Sequence, residues 1–179
     1  KQLKQIMEDD TSGLKDFSSG KAARLVKYLQ EICDGDGDGD GNDKRVLVFV
    51  TRRRTADALC SRIEKSAELS AHWRPGVLTG HGTSVAQDGM TWKEQTEAVE
   101  RFNSGEVNLL LATSVAEEGL DIQACNYVIR LDAATTVEAM VQSRGRARHR
   151  DSHFVVFYEN QGEQTSMAAL QEKEKMMQQ

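Results

Sequence analysis

Val46-Leu47-Val48-Phe49-Val50 is an uninterrupted apolar run, rich in β-branched residues and bounded by charge. A strand with one wet face alternates apolar and polar side chains. A run without polar interruption suits a strand buried on both faces of a parallel sheet, where crossover helices cover the faces. Val77–Thr79, Val107–Ala112, Tyr127–Leu131 and Phe154–Tyr158 read as further short strands. Helical spacing fills the gaps. Leu25, Leu29 and Ile32 share a face, with Ala22 and Val26 beside them, in a helix capped by Ser18 or Ser19 that ends near Cys33. Ala56, Leu59, Cys60 and Ile63 mark a second helix through about Lys65, and Val137–Gln142 a short one. Thr91 with Glu94 three residues on is a capping box for a helix that turns Val99 and Phe102 inward and stops at Gly105. Five strands alternating with helices predict an α/β fold: a doubly wound, mainly parallel sheet with flanking helices. Residues 1–20 read as a lead-in, 21–160 as the domain, and 161–179 as a helix that leaves it and protrudes.

The 179 residues suffice for one domain and one core. With 39% hydrophobic and 28% charged residues, collagen, coiled coil and wholesale disorder are excluded. No window approaches the roughly 18 apolar residues of a membrane helix, and Lys1–Asp10 has no signal-peptide core, so cytosol or nucleus is expected and no membrane partner. Cys33, Cys60 and Cys125 have neither zinc-ligand nor disulfide-framework spacing and read as reduced, buried thiols. The net charge of -5 is matched by the five aspartates of the Asp/Gly run 34–43, a flexible surface insertion. Asp34, Asp36, Asp38 and Gly39 open like a calcium loop, but its twelfth position is Arg45 where a bidentate Glu is required. The rest of the chain is neutral and carries two arginine clusters, Arg52–Arg54 and Arg144–Arg150, the local feature that makes an anion site.

In an open parallel sheet, ligands bind beyond the carboxyl ends of the strands. The residues following the apolar runs are polar: Thr51-Arg52-Arg53, then Thr113-Ser114 with Glu117-Glu118-Gly119-Leu120-Asp121, and, after the helix at 137, Gln142 to Arg150. Hydroxyls and guanidinium groups suit phosphate oxygens, and an Asp in a tight Gly turn suits a ribose hydroxyl. Together they predict a nucleotide or nucleic-acid edge. Arg53, Arg54 and Arg150 read as solvated. Glu117 and Glu118 shape the turn, since sequence neighbours seldom point into one site. His72, His149 and His153 read as structural or exposed, and Trp73 and Trp92 as core or interlobe packing rather than base-stacking platforms.

The segment A112-T-S-V-A-E-E-G-L-D-I122 resembles motif V of superfamily 2 helicases, Q142-S-R-G-R-A-R148 resembles motif VI, and V46-L-V-F-V-T-R52 resembles motif IV. Their order and spacing match the second RecA-like lobe of that superfamily over roughly Lys21 to Tyr158. With C-N-Y-V-I-R-L-D between them, they are similar to the Dicer and RIG-I-like group of double-stranded-RNA-dependent ATPases. DEAD-box proteins start motif VI with His-Arg where this chain has Gln142-Ser143, and the final arginine falls one place earlier here, at Arg148.

The resemblance implies that ATP and Mg2+ sit between two RecA-like lobes, held mainly by a first lobe. Neither a G-x-x-x-x-G-K-[ST] loop nor a D-E-x-[DH] tetrad occurs in this sequence, so alone it is expected not to hydrolyse ATP. Carried over by motif, Arg146 and Arg148 are arginine fingers. Gln142, Gly119, Asp121 and Arg144 border the nucleotide. Thr51, Arg52, Thr113 and Ser114 touch RNA phosphates, with Gly80 and His81 approaching the backbone. The implied partners are double-stranded RNA, the first lobe of the same chain and a double-stranded-RNA-binding cofactor protein. The leading expectation is the helicase region of a Dicer-type ribonuclease that processes duplex RNA in RNA interference. The rivals are a RIG-I-like sensor of antiviral defence and a noncatalytic docking lobe.

Overall fold

The computed structural model describes residues 3–6, 20–34, 44–80, 89–116, 120–132, 136–147 and 152–177. Six strands form one sheet: β1 (Leu3–Ile6), β2 (Val46–Phe49), β3 (Pro75–Leu78), β4 (Leu109–Ala112), β5 (Tyr127–Arg130) and β6 (His153–Phe157), in the order β1-β6-β5-β2-β4-β3. Every neighbouring pair is parallel, with Val48 aligned to both Leu111 and Ile129. The predicted doubly wound sheet is therefore present, with one strand more than expected. β1 lies within the stretch read as a lead-in, where L-K-Q-I lacks the apolar run that marks the inner strands. At the opposite edge, β3 begins on Pro75, a residue a sheet tolerates at the start of an edge strand because it cannot donate to a ladder.

Successive residues of each inner strand enter opposite layers. Val46, Val48 and Val50, with Leu109, Leu111, Ile129, Val155 and Phe157, meet α1 (Gly20–Asp34) and α2 (Arg53–Lys65) on one face. Leu47 and Phe49, with Leu110, Val128, Phe154 and Val156, meet α4 (Trp92–Asn103), α5 (Val137–Arg144) and α6 (Gln161–Met177) on the other. α1 buries Leu25, Leu29 and Ile32 as expected, and also Tyr28 and Lys21; its anticipated caps, Ser18 and Ser19, lie outside the described residues, as does the Asp/Gly run 35–43. A one-turn helix, α3 (Ala67–Ser70), leads to Trp73, which is buried and donates its indole N–H to the Leu29 carbonyl at 3.4 Å. Trp92, the first residue of α4, stands 64% exposed, so of the two packing roles expected for it the core role does not hold. Among the described residues, no helix is long and apolar enough to cross a membrane.

The C-terminal helix also differs from expectation. α6 packs back on the sheet rather than protruding, with Met167 fully buried in the layer that holds Ala147 and Leu170 packed against it.

The capping box of α4 is complete: Thr91 Oγ1 accepts the Glu94 N–H at 3.3 Å, and the Glu94 carboxylate accepts the Thr91 N–H at 2.6 Å. The Thr91 N–H, and the Thr91 hydroxyl that donates to the same carboxylate at 2.8 Å, hold the Glu94 carboxyl below its usual range. A folded-state value below the unfolded one means that the contribution is complete above the unfolded carboxylate range and is lost as the pH falls through the lowered folded value. Thr91→Ala is expected to cost about 1 kcal/mol in urea unfolding at neutral pH, with the difference from wild type narrowing in acid; an unchanged midpoint would contradict the capping role.

Candidate functional site

The polar residues that follow the apolar runs divide between the two edges of the sheet. Thr51 and Arg52 follow β2, Thr113 and Ser114 follow β4, and Gly80 follows β3, so three adjacent strands bring all five to the carboxyl edge. Arg52 is the N-cap of α2 and its carbonyl accepts the Thr55 and Ala56 N–H groups at 3.0 and 3.3 Å. The positive end of a 13-residue helix thus meets the arginine run. Arg53 pairs with Asp57 one turn along and is half-buried, with Nη1 shielded from solvent, so it is less solvated than expected. A Cβ on Gly80 would meet nothing within 4 Å, so described packing does not require glycine there. His81 lies outside the described residues.

The second group is elsewhere. The chain after β4 must descend to start β5 in parallel, and on the way it passes the end of α5. The Cys125 N–H, two residues before β5, donates to the Arg146 carbonyl at 3.0 Å, and Arg146 Nη1 donates to the Ile122 carbonyl at 3.3 Å. Arg146 therefore lies beside the amino end of β5. This corrects the expectation of a single carboxyl-edge site: the motif VI segment follows a helix that has already crossed the sheet. The 120–125 segment is fixed from its other side as well. Asn103 donates to the Asp121 carbonyl at 2.7 Å and accepts the Gln123 N–H at 3.0 Å, while Arg45 bonds Gln123 Oε1 at 2.6 Å and the Asn103 carbonyl at 2.7 Å. The Asp121 side chain stays exposed and Gln142 half-buried. Arg144 forms an ion pair with the nearly buried Glu174 of α6. Arg148 and Gly119 lie outside the described residues, as do Glu117, Glu118, His149 and Arg150.

Residues 20–151 match the helicase conserved C-terminal domain. The chain belongs to that family. A Dicer-like protein 1 from Chaetomium globosum is 34% identical over 162 residues, 89% of this chain and 10% of that protein. Dicer-like protein 1 of Aspergillus oryzae is 40% identical over 158 residues, covering 87% of this chain and 10% of the relative. This helicase domain thus spans about a tenth of the length of the curated relatives it matches. The C-terminal domain of the DEAD-box protein Dbp5 has the same fold, with a TM-score of 0.64 at 19% identity over 84% of this chain and 78% of that one.

Sequence reasoning missed the charges that tie the helicase domain's layers together at the carboxyl edge. Lys21, 4% exposed, donates to the Glu163 carboxylate of α6 at 2.9 and 3.2 Å and lies 3.9 Å from Asp132. Asp132 in turn accepts the Thr51 N–H at 2.7 Å. Arg130, also buried, stacks over the Phe49 ring and donates to the Asp132 carbonyl at 3.3 Å. No local signal marks Lys21, because its partners stand far along the chain. Replacing it by Met is expected to lower stability by about 2 kcal/mol, the loss of a charge-assisted pair, read from the urea midpoint; a midpoint at the wild-type value would contradict the role.

Cys125 is buried beside Arg45 and Arg146, whose charges favour a thiolate, yet desolvation outweighs them and pushes the thiol up to about 12. Cys60, half-buried next to Glu64, is raised to about 11, and burial raises Cys33 as well. All three thiols stay protonated at neutral pH and are poor nucleophiles. Iodoacetamide at pH 8 is expected to leave Cys125 unmodified in the folded protein and to label it in urea, as read by mass spectrometry; early labelling of Cys125 would contradict this.

Proposed function

We propose that this chain is the second RecA-like lobe in the helicase region of a Dicer-type ribonuclease, which acts on double-stranded RNA in RNA interference and binds ATP and Mg2+ between this lobe and a first one. The observation that carries the reading is Arg146 itself. Its carbonyl is bonded to Cys125 and its guanidinium to Ile122, so the position of the arginine is set before a ligand arrives, as electrostatic stabilisation of a developing charge requires. The similarity to Dicer-like proteins supports the same reading.

ATP, when bound, supplies the γ-phosphoryl group and its developing negative charge. The donors present are of the kind a polyphosphate takes: a half-buried Arg146 and a half-buried Gln142 four residues apart, with an exposed Asp121 suited to a ribose hydroxyl. Arg146 then acts as the arginine finger with Arg148 as the second, and Gln142, Gly119 and Asp121 border the nucleotide. At the other edge Thr51, Arg52, Gly80, Thr113 and Ser114 face the RNA backbone, and the motif resemblance gives His81 the same role. Contacts of this kind grip phosphate and 2′-hydroxyl groups without reading bases, so affinity falls steeply with salt.

The test is ATP turnover by the full-length parent, with both lobes present, with and without duplex RNA. Arg146→Ala is expected to remove RNA-stimulated turnover by about 1,000-fold, the scale of an arginine finger, while duplex binding is kept. Arg146→Lys is expected to restore little, since an ammonium cannot reproduce the planar fork. Turnover that ignores RNA, or that survives Arg146→Ala, contradicts the proposal. Arg52→Ala is expected to weaken duplex binding equally across sequences and to reduce the salt slope by about 1; an unchanged slope removes Arg52 from the RNA edge.

A further inference from the structure

We infer that Glu174 is a positioning residue for motif VI, its buried carboxylate latching Arg144 and so fixing the end of α5 from which Arg146 projects. The inference rests on the proposed nucleotide role of Arg146 and assigns Arg144 a different task from the nucleotide contact that sequence resemblance implies.

Glu163, Met167, Leu170 and Glu174 recur at spacings of four, three and four and so form one stripe along α6. The two apolar members pack into the layer that holds Ala147 and Ala139. The two carboxylates stand at the ends of the stripe, and each meets a cation on a different element: Glu163 meets Lys21 at the carboxyl edge, and Glu174 meets Arg144 at the amino edge. α6 is thus clamped across the sheet, with its far end on the motif VI segment.

Burial decides what that far contact means. The Glu174 side chain is only 4% exposed, whereas that of Arg144 is 36% exposed. A carboxylate taken out of water costs several kcal/mol unless a cation and hydrogen bonds compensate it, so Glu174 holds Arg144 more tightly than a surface pair would. Arg144 ends α5. Its carbonyl accepts the Ala147 N–H at 3.0 Å, and the Ser143 carbonyl accepts the Arg146 N–H at 3.2 Å. Ser143 is itself buried and bonded to the Ala139 carbonyl at 2.8 Å. An anchored Arg144 therefore fixes a tight turn whose next residues are Gly145 and Arg146. A latch on the helix end supplies the positional constraint that a finger residue needs.

The test uses the full-length parent and two readouts. The first is amide hydrogen exchange without nucleotide. Glu174→Gln is expected to speed exchange at the Arg146, Ala147 and Cys125 amides about tenfold, as loss of a charge-assisted hydrogen bond implies, with the β2 and β4 amides unchanged. Exchange left as in wild type at those three amides, or raised throughout the domain, overturns the latch. This readout is independent of whether the parent hydrolyses ATP, so failure of the latch and failure of the proposed function are distinguishable. The second is RNA-stimulated turnover. Glu174→Gln is expected to lower kcat about tenfold with duplex affinity kept, and the charge swap Glu174→Arg with Arg144→Glu is expected to recover part of that loss. A swap no better than Arg144→Glu alone shows that Arg144 itself contacts the nucleotide and overturns the assignment.

Discussion

A parallel sheet whose inner strands are apolar on both sides has no face left for ligands. Val46 to Val50 send alternate side chains into two separate cores, and the strands on either side do the same. Helices must then cover both faces, and every polar group that is to meet a ligand is pushed to the strand ends or to the loops that join them. The division of the motif-like segments between a carboxyl edge and an amino edge follows from this constraint. A loop that leaves β4 at one edge has to reach the start of β5 at the other. The chain uses that descent to bring residues 120–125 against the end of α5.

The same constraint explains where the buried charges lie. Apolar layers hold helices to a sheet strongly but tolerate sliding, whereas a charge-assisted pair has one geometry. Lys21 joins α1 to α6 and Asp132 at the carboxyl edge; Arg144 joins α5 to α6 at the amino edge. Asp132 then hands the constraint on to Thr51, which follows β2 at the carboxyl edge. The helicase lobe is therefore held at both edges by ion pairs to α6, one from α1 in the opposite layer and one from α5 in its own. Under the proposed function RNA meets one edge and nucleotide the other, and we propose that this linkage lets one ligand affect the other.

Much of the fold is legible from local pattern because its causes are local. The apolar runs gave the five inner and edge strands from 46 onward, and Thr91 with Glu94 gave a complete capping box. β1 escaped because L-K-Q-I carries no such run. Trp92 stands seven residues before Val99 and so shares the inward stripe of α4 by spacing, yet as the first residue of the helix it is exposed, and of its two expected packing roles only the core one fails. The candidate site was legible in residue identity and not in placement. Motif spacing picks out Arg146, Gln142 and Asp121, but the bonds that fix Arg146 come from Ile122 and Cys125, and these depend on the crossing direction of the loop. Lys21 and Glu174 carry no local signal at all, since a buried charge is explained only by a partner that the fold supplies.

Coupling between the two edges is the central claim, and thermodynamic linkage tests it most directly. The affinity of the full-length parent for a nonhydrolysable ATP analogue is measured in the absence and in the saturating presence of duplex RNA, and RNA affinity is measured with and without the analogue. The account predicts that each ligand tightens the other by the same factor, within the 5- to 150-fold range usual for coupled sites. Equal affinities in all four conditions would mean that the two edges work independently, and the account would be contradicted.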